Sequence, residues 1–304
     1  MWREICGAAL TFCILFWNVE NYFDPFNDPL TNDDEFAPAA ERHWTWQRFE
    51  KKRDGIAQTI VSVADEYGEL PALVGLAEVE NRMVVSQLVR KTMLADLGYD
   101  FVHRESPDER GIDVALLYRK DVFRVLAVDS LQVPDFPTRD ILYVKLRCRV
   151  ETDMTDPLHV FVVHPPSKRG GARASQGRRE TAVAVLEHAV DSLLAEKPAQ
   201  SIVVMGDFND TDARVSGLAV PAFTDPKPVP GTLRYHGRWE QIDWFCISPV
   251  LDSLARMQIY APPFLLEPDP AWMGVKPRRT YIGPRYNGGL SDHLPICLEL
   301  RSER

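Results

Sequence analysis

The sequence predicts an α/β sandwich built from mixed β-sheets. Short apolar runs typical of buried strands are interspersed with longer segments that place apolar residues at helical spacing. These segments lack the regular strand–helix alternation of a doubly wound fold or a barrel, so a mixed-sheet sandwich fits better. Several apolar runs end in Asp, Glu, Asn or His, and strand ends are where α/β folds bind ligands. We expect one domain over residues 1–304.

The individual elements follow from the spacing of apolar residues. Residues 202–205 (IVVM) are continuously apolar, as in a strand buried on both faces. Phe49, Ile56 and Ile60 form one stripe of an amphipathic helix. Helices are predicted over residues 46–63, 83–97 and 178–194, and strands over residues 10–17, 73–77, 114–118, 143–150, 160–163, 202–205, 242–247 and 296–300. Long loops rich in Pro, Asp or Asn cover residues 24–43, 221–231 and 262–284.

Composition places the chain among ordinary globular proteins. Hydrophobic residues make up 45% of it and charged residues 26%, and no apolar run is long enough to cross a bilayer. The net charge of −9 excludes binding of nucleic acid through the overall electrostatic field. A phosphate-bearing partner therefore needs a local basic patch or bound cations. We expect a monomer.

The cysteines and the N-terminal residues provide information on the cellular compartment of the protein. The chain has five cysteines in no zinc-binding or CxxC spacing, which indicates buried thiols and a cytoplasmic protein. Arg3 and the apolar run after it also resemble an export signal, so export stays open. That run leads directly into Asn18 and Glu20, and a first core strand is therefore the better interpretation.

The most informative stretch is residues 201–210 (SIVVMGDFND). Its apolar strand is followed by Gly206 and then by Asp207, Asn209 and Asp210. If the strand continues, Asp207 and Asn209 point to the same side and can hold a water and an anionic oxygen. The alternative is an Asx turn that closes the strand. Crowded carboxylates repel one another, and a cation would relieve that repulsion.

Other strand ends carry similar groups. Glu78 follows the apolar strand 73–77, and Asn18 follows strand 10–17. Carboxylate and amide oxygens are ligands for Mg²⁺ or Mn²⁺, although each residue alone is more often a solvated strand end or a turn former. Asp292 and His293 precede the last strand, and His is the natural acid or base near neutral pH. Asp243 lies within an apolar strand and needs a partner, for which His293 is the candidate.

Several basic and aromatic residues are candidates for contact with substrate. His164 ends a strand and precedes a loop that contains Lys168 and Arg169, and such cationic loops bind phosphate or are simply solvated. Arg110 lies just before the strand 114–118 and is a further phosphate-binding candidate. Trp239, with Tyr235 and Arg238 nearby, either faces substrate or packs a hairpin.

The set of motifs resembles the endonuclease/exonuclease/phosphatase superfamily, the DNase I-like metal-dependent phosphoesterases. The matching segments occur in the family's order and span nearly the whole chain. They are WNVENYFD (17–24), GLAEVEN (75–81), RGIDVALLYR (110–119), VVHPPSKRGG (162–171), VVMGDFND (203–210), QIDWFCIS (241–248) and SDHLPI (291–296). One departure is Pro165-Pro166, where the family often has an aromatic residue after the His.

The resemblance implies a four-layer αββα sandwich with two mixed β-sheets flanked by helices. It implies Glu78 as a ligand of Mg²⁺, or of Mn²⁺ or Ca²⁺, with Asn18 and Asp292 near the metal. Glu20 stands where some members carry another acidic ligand. Asp207 and Asn209 would orient the attacking water and the phosphate. His293, supported by Asp243, would be the base or a phosphate stabiliser, and His164 a second catalytic histidine.

Three functions from two classes remain open at this point. The first is a nuclease or other phosphodiesterase acting on DNA or RNA, for which loop 168–179 and Arg278, Arg279 and Arg285 could form a basic ridge. The second is hydrolysis of a small phosphorylated molecule or lipid head group. The third is an inactive binding protein, which the occupied polar positions disfavour.

Overall fold

Strands dominate the computed structural model, which describes residues 11–150, 157–167, 172–224 and 227–301. The helices are α1 (Trp46–Tyr67), α2 (Arg82–Arg90), α3 (Ala172–Glu196) and α4 (Pro249–Asp252). The strands are β1 (Thr11–Tyr22), β2 (Leu73–Val79), β3 (Tyr99–His103), β4 (Asp113–Arg119), β5 (Phe123–Leu131), β6 (Ile141–Cys148), β7 (Leu158–Val163), β8 (Ser201–Asp207), β9 (Leu233–Tyr235), β10 (Arg238–Glu240), β11 (Asp243–Ile247), β12 (Ala255–Ile259), β13 (Leu266–Pro268), β14 (Val275–Pro277), β15 (Tyr281–Ile282), β16 (Arg285–Tyr286) and β17 (Ile296–Arg301).

Two mixed sheets form the centre of the molecule. The first has the strand order β12-β17-β1-β2-β4-β3, and the second has the order β11-β8-β7-β6-β5. The pairs β1–β2 and β7–β8 are parallel, and the remaining pairs in both sheets are antiparallel. β1 and β2 contact β8 across the interface, α1 and α2 pack on the first sheet, and α3 packs on the second. The predicted four-layer αββα sandwich is confirmed.

The central strands are buried on both faces, which explains their continuous apolar sequences. Residues 14–17 of β1 are fully buried, and so are residues 202–205 of β8. Their side chains fill the layer between the sheets or the layer beneath a helix. Polar residues of these strands therefore lie at the strand ends, on the rim of the sandwich.

Capping residues set the helix limits. Thr45 accepts a hydrogen bond from the N–H of Arg48 at the start of α1, and Gly68 ends that helix with φ = 75°. The helix predicted over 83–97 is shorter, because α2 ends at Arg90 and is followed by a 3₁₀ turn at Met93–Ala95. Thr92 separates the two by donating its hydroxyl to Leu88 O and accepting the N–H of Leu94.

The strands that sequence patterns did not predict in the two large sheets are β3, β5 and β12. All three are edge strands. An edge strand exposes one face and one edge to water, so charged residues such as Arg124 and Arg256 interrupt its apolar pattern. The position of these three strands at the sheet edges therefore explains why the sequence pattern did not predict them.

The N-terminal apolar run forms a core strand from Thr11 onward. β1 lies between β17 and β2, as the core-strand interpretation predicts. Residues 1–10, which contain the rest of the segment that resembles an export signal, lie outside the described residues. Cys13, Cys246 and Cys297 are free thiols, and Cys6 lies outside the described residues. Among the described helices, none has the length and apolar character needed to cross a membrane.

Replacement of Gly206 by Ala is expected to destabilise the sandwich. A Cβ at this position of β8 would lie 2.2 Å from the backbone oxygen of Val163 on β7, and backbone cannot rotate away. We expect a loss of about 1–3 kcal/mol in the free energy of unfolding, measured by urea denaturation. Gly177→Ala is the matched control, because a Cβ there meets no atom within 4 Å and Ala favours the interior of α3. Equal stability of the two variants would contradict this prediction.

Candidate active site

Polar residues from both sheets converge at one rim of the sandwich. Asn18 follows the fully buried residues 14–17 of β1, and Asp207 is the last residue of β8 in the opposite sheet. The amide of Asn18 donates a hydrogen bond from Nδ2 to Oδ2 of Asp207 at 3.0 Å, and both residues are buried. This bond joins the two sheets at the centre of the site.

Glu78 reaches the site through a bulge in β2. Asn18 pairs with Ala77 in the parallel β1–β2 ladder, and the register shifts immediately after that pair. The β2–β4 ladder shifts at the same place. Glu78 has φ = 60° there, and Glu20 and Asn21 on β1 have φ = 48° and 53°. Bulges and left-handed non-glycine residues concentrate where a side chain must be re-aimed, which is what happens to Glu78.

The Glu78 carboxylate makes one hydrogen bond and one ion pair. Its Oε2 accepts the N–H of Asn21 at 2.8 Å and lies 3.6 Å from Nη2 of Arg110. Arg110 also donates to Oδ1 of Asn21 at 2.6 Å. Burial alone would raise the pKa of Glu78, but Arg110 and the two site histidines outweigh it and lower the pKa to about 2. Glu78 is therefore ionised throughout the neutral range.

Asp207 and Asn209 are arranged by a turn. β8 ends at Asp207, and Asn209 has φ = 52°, so the expectation of a continuing strand that aligns the two side chains is wrong. The N–H of Asn209 instead donates to Oδ1 of Asp207 at 2.9 Å, which is the Asx turn considered as the alternative. Asn209 Nδ2 donates to Pro165 O at 3.1 Å, so the turn also fixes the loop after β7.

His293 and Asp243 form a buried pair. Asp243 lies opposite Asp207 in the β8–β11 ladder, and its Oδ2 is 2.9 Å from Nδ1 of His293. The hydroxyl of Thr232 donates to the same carboxylate. Burial would lower the pKa of His293, but Asp243 and Asp207 raise it well above its usual value. The predicted pairing of the two residues is confirmed, and it favours an imidazolium.

His164 lies on the other side of Asp207. Its Nε2 is 3.6 Å from Oδ2 of Asp207, and Nε2 of His293 is 3.7 Å from the same oxygen. Burial, then the nearby Arg139 charge, lowers the pKa of His164 well below its usual value. The two histidines thus differ in charge, because one has a buried carboxylate partner and the other has a cation beside it.

Burial also acts on Asp207. It raises the pKa of this carboxyl to about 7, against the opposing effect of His293. Asp207, Asp243 and His293 form an acidic cluster whose ligand atoms lie within 4.8 Å of one another and which could bind a metal ion. A carboxylate with a raised pKa beside two imidazoles can exchange a proton near neutral pH.

Glu20 and Asp292 are linked through Arg279. Oε1 of Glu20 accepts from Nη2 of Arg279 at 2.9 Å, and Oδ2 of Asp292 accepts from the same nitrogen at 3.0 Å. Oε2 of Glu20 accepts the N–H of Thr280 at 2.8 Å. Oδ1 of Asp292 lies 4.0 Å from Nε2 of His293, so Asp292 borders the histidine.

The predicted substrate-contact residues lie in different places. Arg110 is at the site, beside Glu78. Trp239 is half-buried on β10, packs against the core and has the Arg234 guanidinium 5.7 Å from its ring centroid, as in the hairpin alternative. Lys168 and Arg169 lie outside the described residues.

Several residues at the site were missed by sequence reasoning. Arg139 is buried and donates to the backbone oxygens of His164 and Pro165 and to Asp108. Lys52 is buried on α1 and donates to the backbone oxygen of Glu20 and to Thr280 Oγ1. Arg139, Thr232 and Lys52 carry no local signal, because their partners are distant in sequence. Arg279 was predicted as part of a basic ridge, but its pairing with Glu20 and Asp292 was not.

A polar recess adjoins the Glu78 side of the site. It has a volume of about 530 Å³, including space open to solvent, and Arg110 and Arg279 form the wall nearest the site. Asn32, Glu35 and Arg42 line the rest, with the Arg42 guanidinium 5.0 Å from the ring centroids of Phe36 and Tyr281. The volume comparable with that of known ligand sites is about 90 Å³, which is below the range for drug-sized ligands and leaves room for a small polar group only.

Solved structures with the same fold come from animals and bacteria. Truncated TDP2 from Caenorhabditis elegans is 16% identical, with a TM-score of 0.59 over 96% of this chain and 98% of that chain. An endonuclease/exonuclease/phosphatase family protein from Bacteroides thetaiotaomicron is 15% identical, with a TM-score of 0.61 over 97% and 99%. A mannosyl-6-phosphatase from the same bacterium is 16% identical, with a TM-score of 0.60 over 95% and 99%.

The sequence itself matches a family model over nearly its whole length. No curated protein matches the sequence. Residues 13–302, which include every strand end of the site, match the model described as Endonuclease/Exonuclease/phosphatase family. This chain therefore belongs to the Endonuclease/Exonuclease/phosphatase family, whose members are metal-dependent phosphoesterases.

Proposed function

We propose that this chain hydrolyses phosphate esters at the site around Asp207 with Mg²⁺, or with Mn²⁺ or Ca²⁺ in its place. The main observation behind the proposal is the set of three polar groups around Oδ2 of Asp207. Asn18 Nδ2 lies 3.0 Å from it, His164 Nε2 lies 3.6 Å from it and His293 Nε2 lies 3.7 Å from it. A buried carboxylate flanked by two imidazoles and an amide is suited to hold and deprotonate a water.

The residues at the Glu78 side fit a hard divalent cation. Glu78 is ionised, and no hydrogen bond to its Oε1 occurs among the described residues, so this oxygen is open to a ligand. The side-chain oxygen Oδ1 of Asn18 accepts only the N–H of Glu20 among those residues and keeps a second lone pair. Glu78 and Asn18 would hold the ion, with Asp292 nearby. A bound cation there would neutralise phosphoryl charge and stabilise the leaving oxygen.

The side chains of the protein would perform the remaining roles in the reaction. Asp207 would orient the attacking water and take its proton. His293, charged and held by Asp243, would donate from Nε2 to a phosphoryl oxygen, and the neutral His164 would do so from the opposite side. Asn209, anchored to Pro165, would fix the loop that faces the phosphate. Arg110 would add positive charge beside Glu78.

The recess favours a small phosphorylated molecule as the substrate. Its polar lining and its position next to Arg110 suit the alcohol part of a small phosphate ester. One structural neighbour carries the description mannosyl-6-phosphatase, which supports this class.

A nucleic acid is the second candidate. Arg278 and Arg285 are exposed beside the site and could contact a phosphate backbone. However, Arg279, the third member of the predicted basic ridge, is paired with Glu20 and Asp292. The ridge is therefore smaller than the sequence predicted.

The experiment that tests this proposal measures activity on both substrate classes in parallel. Nicking of supercoiled plasmid and phosphate release from a panel of monoesters and diesters are followed with Mg²⁺ and with chelator. We expect metal-dependent release from small esters, and nicking would favour the nucleic acid. Failure of the folded chain in both assays would contradict the proposed function.

Replacement of Glu78 by Gln is expected to raise the Mg²⁺ requirement. The amide removes the ionised oxygen that would hold the cation, so the Mg²⁺ concentration for half-maximal activity should rise about tenfold or more. Glu80→Gln is the matched control, because Gln keeps the acceptor that Glu80 offers to the N–H of Asp24. A Mg²⁺ titration of Glu78→Gln that overlays the wild-type curve would argue against Glu78 as a ligand.

We also propose that the chain acts as a monomer in the cytoplasm. The free thiols of Cys13, Cys246 and Cys297 support a reducing compartment. Size-exclusion chromatography with light scattering measures the oligomeric state, and a dimeric mass would contradict the monomer.

A further inference from the structure

The Arg279 guanidinium occupies the gap between two carboxylates at the edge of the site. Its Nη2 lies 2.9 Å from Oε1 of Glu20 and 3.0 Å from Oδ2 of Asp292, and its Nε lies 3.1 Å from the same Glu20 oxygen. One nitrogen therefore serves two carboxylates that come from opposite ends of the chain.

Two carboxylates that accept from the same guanidinium nitrogen are stabilised by the cation between them. Without one, the charges of Glu20 and Asp292 repel each other, and Glu20 is only 4% exposed, so water screens it poorly. Paired carboxylates from different elements are also the ligands with which proteins hold Mg²⁺ and Ca²⁺. Arg279 supplies the positive charge in permanent form, because a guanidinium does not lose its proton in proteins.

The surrounding chain clamps Arg279 in this place. The backbone oxygen of Arg279 accepts from Nδ2 of Asn287 at 3.1 Å, and Thr280 bonds to Glu20 through its N–H. Gly289 lets the two segments touch, since a Cβ there would lie 1.8 Å from the oxygen of Arg278. The loop before Asp292 and the loop of Arg279 are thus packed directly against each other.

We propose that Arg279 is an internal cation of the metal centre, which fills the place where a second divalent ion would bind between Glu20 and Asp292. The centre then holds one ion, on the side of Glu78 and Asn18. Glu20 acts as the anchor of Arg279 and is not itself a metal ligand. This inference rests on the proposed function, because it presumes the ion at Glu78.

The test measures how many metal ions each chain binds. Mn²⁺ is titrated into the metal-free chain, and bound and free ions are separated by electron paramagnetic resonance. We expect one ion per chain in the wild type and two in Arg279→Gln, because the freed carboxylates become a site. The double variant Glu20→Gln/Arg279→Gln should return to one ion, since it removes half of the new site. Arg278→Gln, an exposed neighbour, should keep one.

The outcomes separate this inference from the proposed function. One ion in both the wild type and a folded Arg279→Gln overturns the inference alone. Two ions in the wild type overturn it as well, and this measurement does not depend on any variant folding. No ion in the wild type overturns the metal centre itself and the inference with it. Circular dichroism and a thermal melt establish that each variant is folded.

Discussion

Replacement of Asp207 by Asn is expected to lower kcat by about 10³-fold or more. Asn keeps the shape of the side chain but cannot accept the proton of an attacking water, and positioned general bases contribute about 10²–10⁴-fold to rate. The buried carboxylate between His164 and His293 is the only described acid within 4 Å of both imidazole Nε2 atoms. Phosphate release from the best ester of the panel, at saturating Mg²⁺, measures the change.

The stability of this variant distinguishes a catalytic role from a structural one. Asn can accept from only one of the two donors that Asp207 serves, Asn18 Nδ2 and the Asn209 N–H, so the thermal midpoint in chelator should fall modestly while the variant stays folded. Asp212→Asn is the matched control, because this exposed acid in the same loop pairs only with Arg214 among the described residues. A kcat of Asp207→Asn within tenfold of the wild type would contradict the assignment.

The parts of the site on central strands were predictable from sequence, and the reason is burial. Strands β1, β2 and β8 are apolar on both faces, so Asn18, Glu78 and Asp207 stand out where each run ends. A polar residue at such a position has only the rim of the sheet available to it. The same logic predicted the pairing of Asp243 with His293, since an acid within an apolar strand requires a buried partner.

Local geometry was less predictable than location. The sequence pattern could not show that β8 stops at Asp207, because the stop depends on the left-handed conformation of Asn209 and on its bond to Pro165. It also could not show the bulge that turns Glu78 inward, which exists only through the register of β2 with its two neighbours. Both features arise from pairing between distant segments.

The long-range ion pairs of two loop arginines, Arg139 and Arg279, were not predictable at all. Arg139 and Asp108 are 31 residues apart, and Arg279 and Glu20 are 259 residues apart. Each arginine lies in a loop where a solvated side chain is the ordinary expectation. Their functional interest comes from the buried carbonyls and carboxylates that they contact, and only the folded chain brings those atoms together.

Replacement of His293 by Ala is expected to lower kcat by about 10³-fold or more. The change removes the imidazolium that faces Asp207 and the phosphoryl position, and electrostatic stabilisation of this kind is worth several kcal/mol in the barrier. Activity with saturating Mg²⁺ measures the effect. His188→Ala, an exposed histidine on α3, is the matched control.

Replacement of Asp243, the partner of His293, tests how this histidine acts. Asp243→Asn should also lower kcat, because the Asn cannot raise the pKa of His293 or hold its Nδ1–H as the carboxylate does. The double variant should be no slower than His293→Ala, since Asp243 acts on the reaction only through the imidazole. Multiplicative effects of the two changes would mean that Asp243 has a separate role, for example as a ligand of the acidic cluster. Near wild-type turnover of a folded His293→Ala would remove this histidine from the reaction and leave His164 as the imidazole beside Asp207.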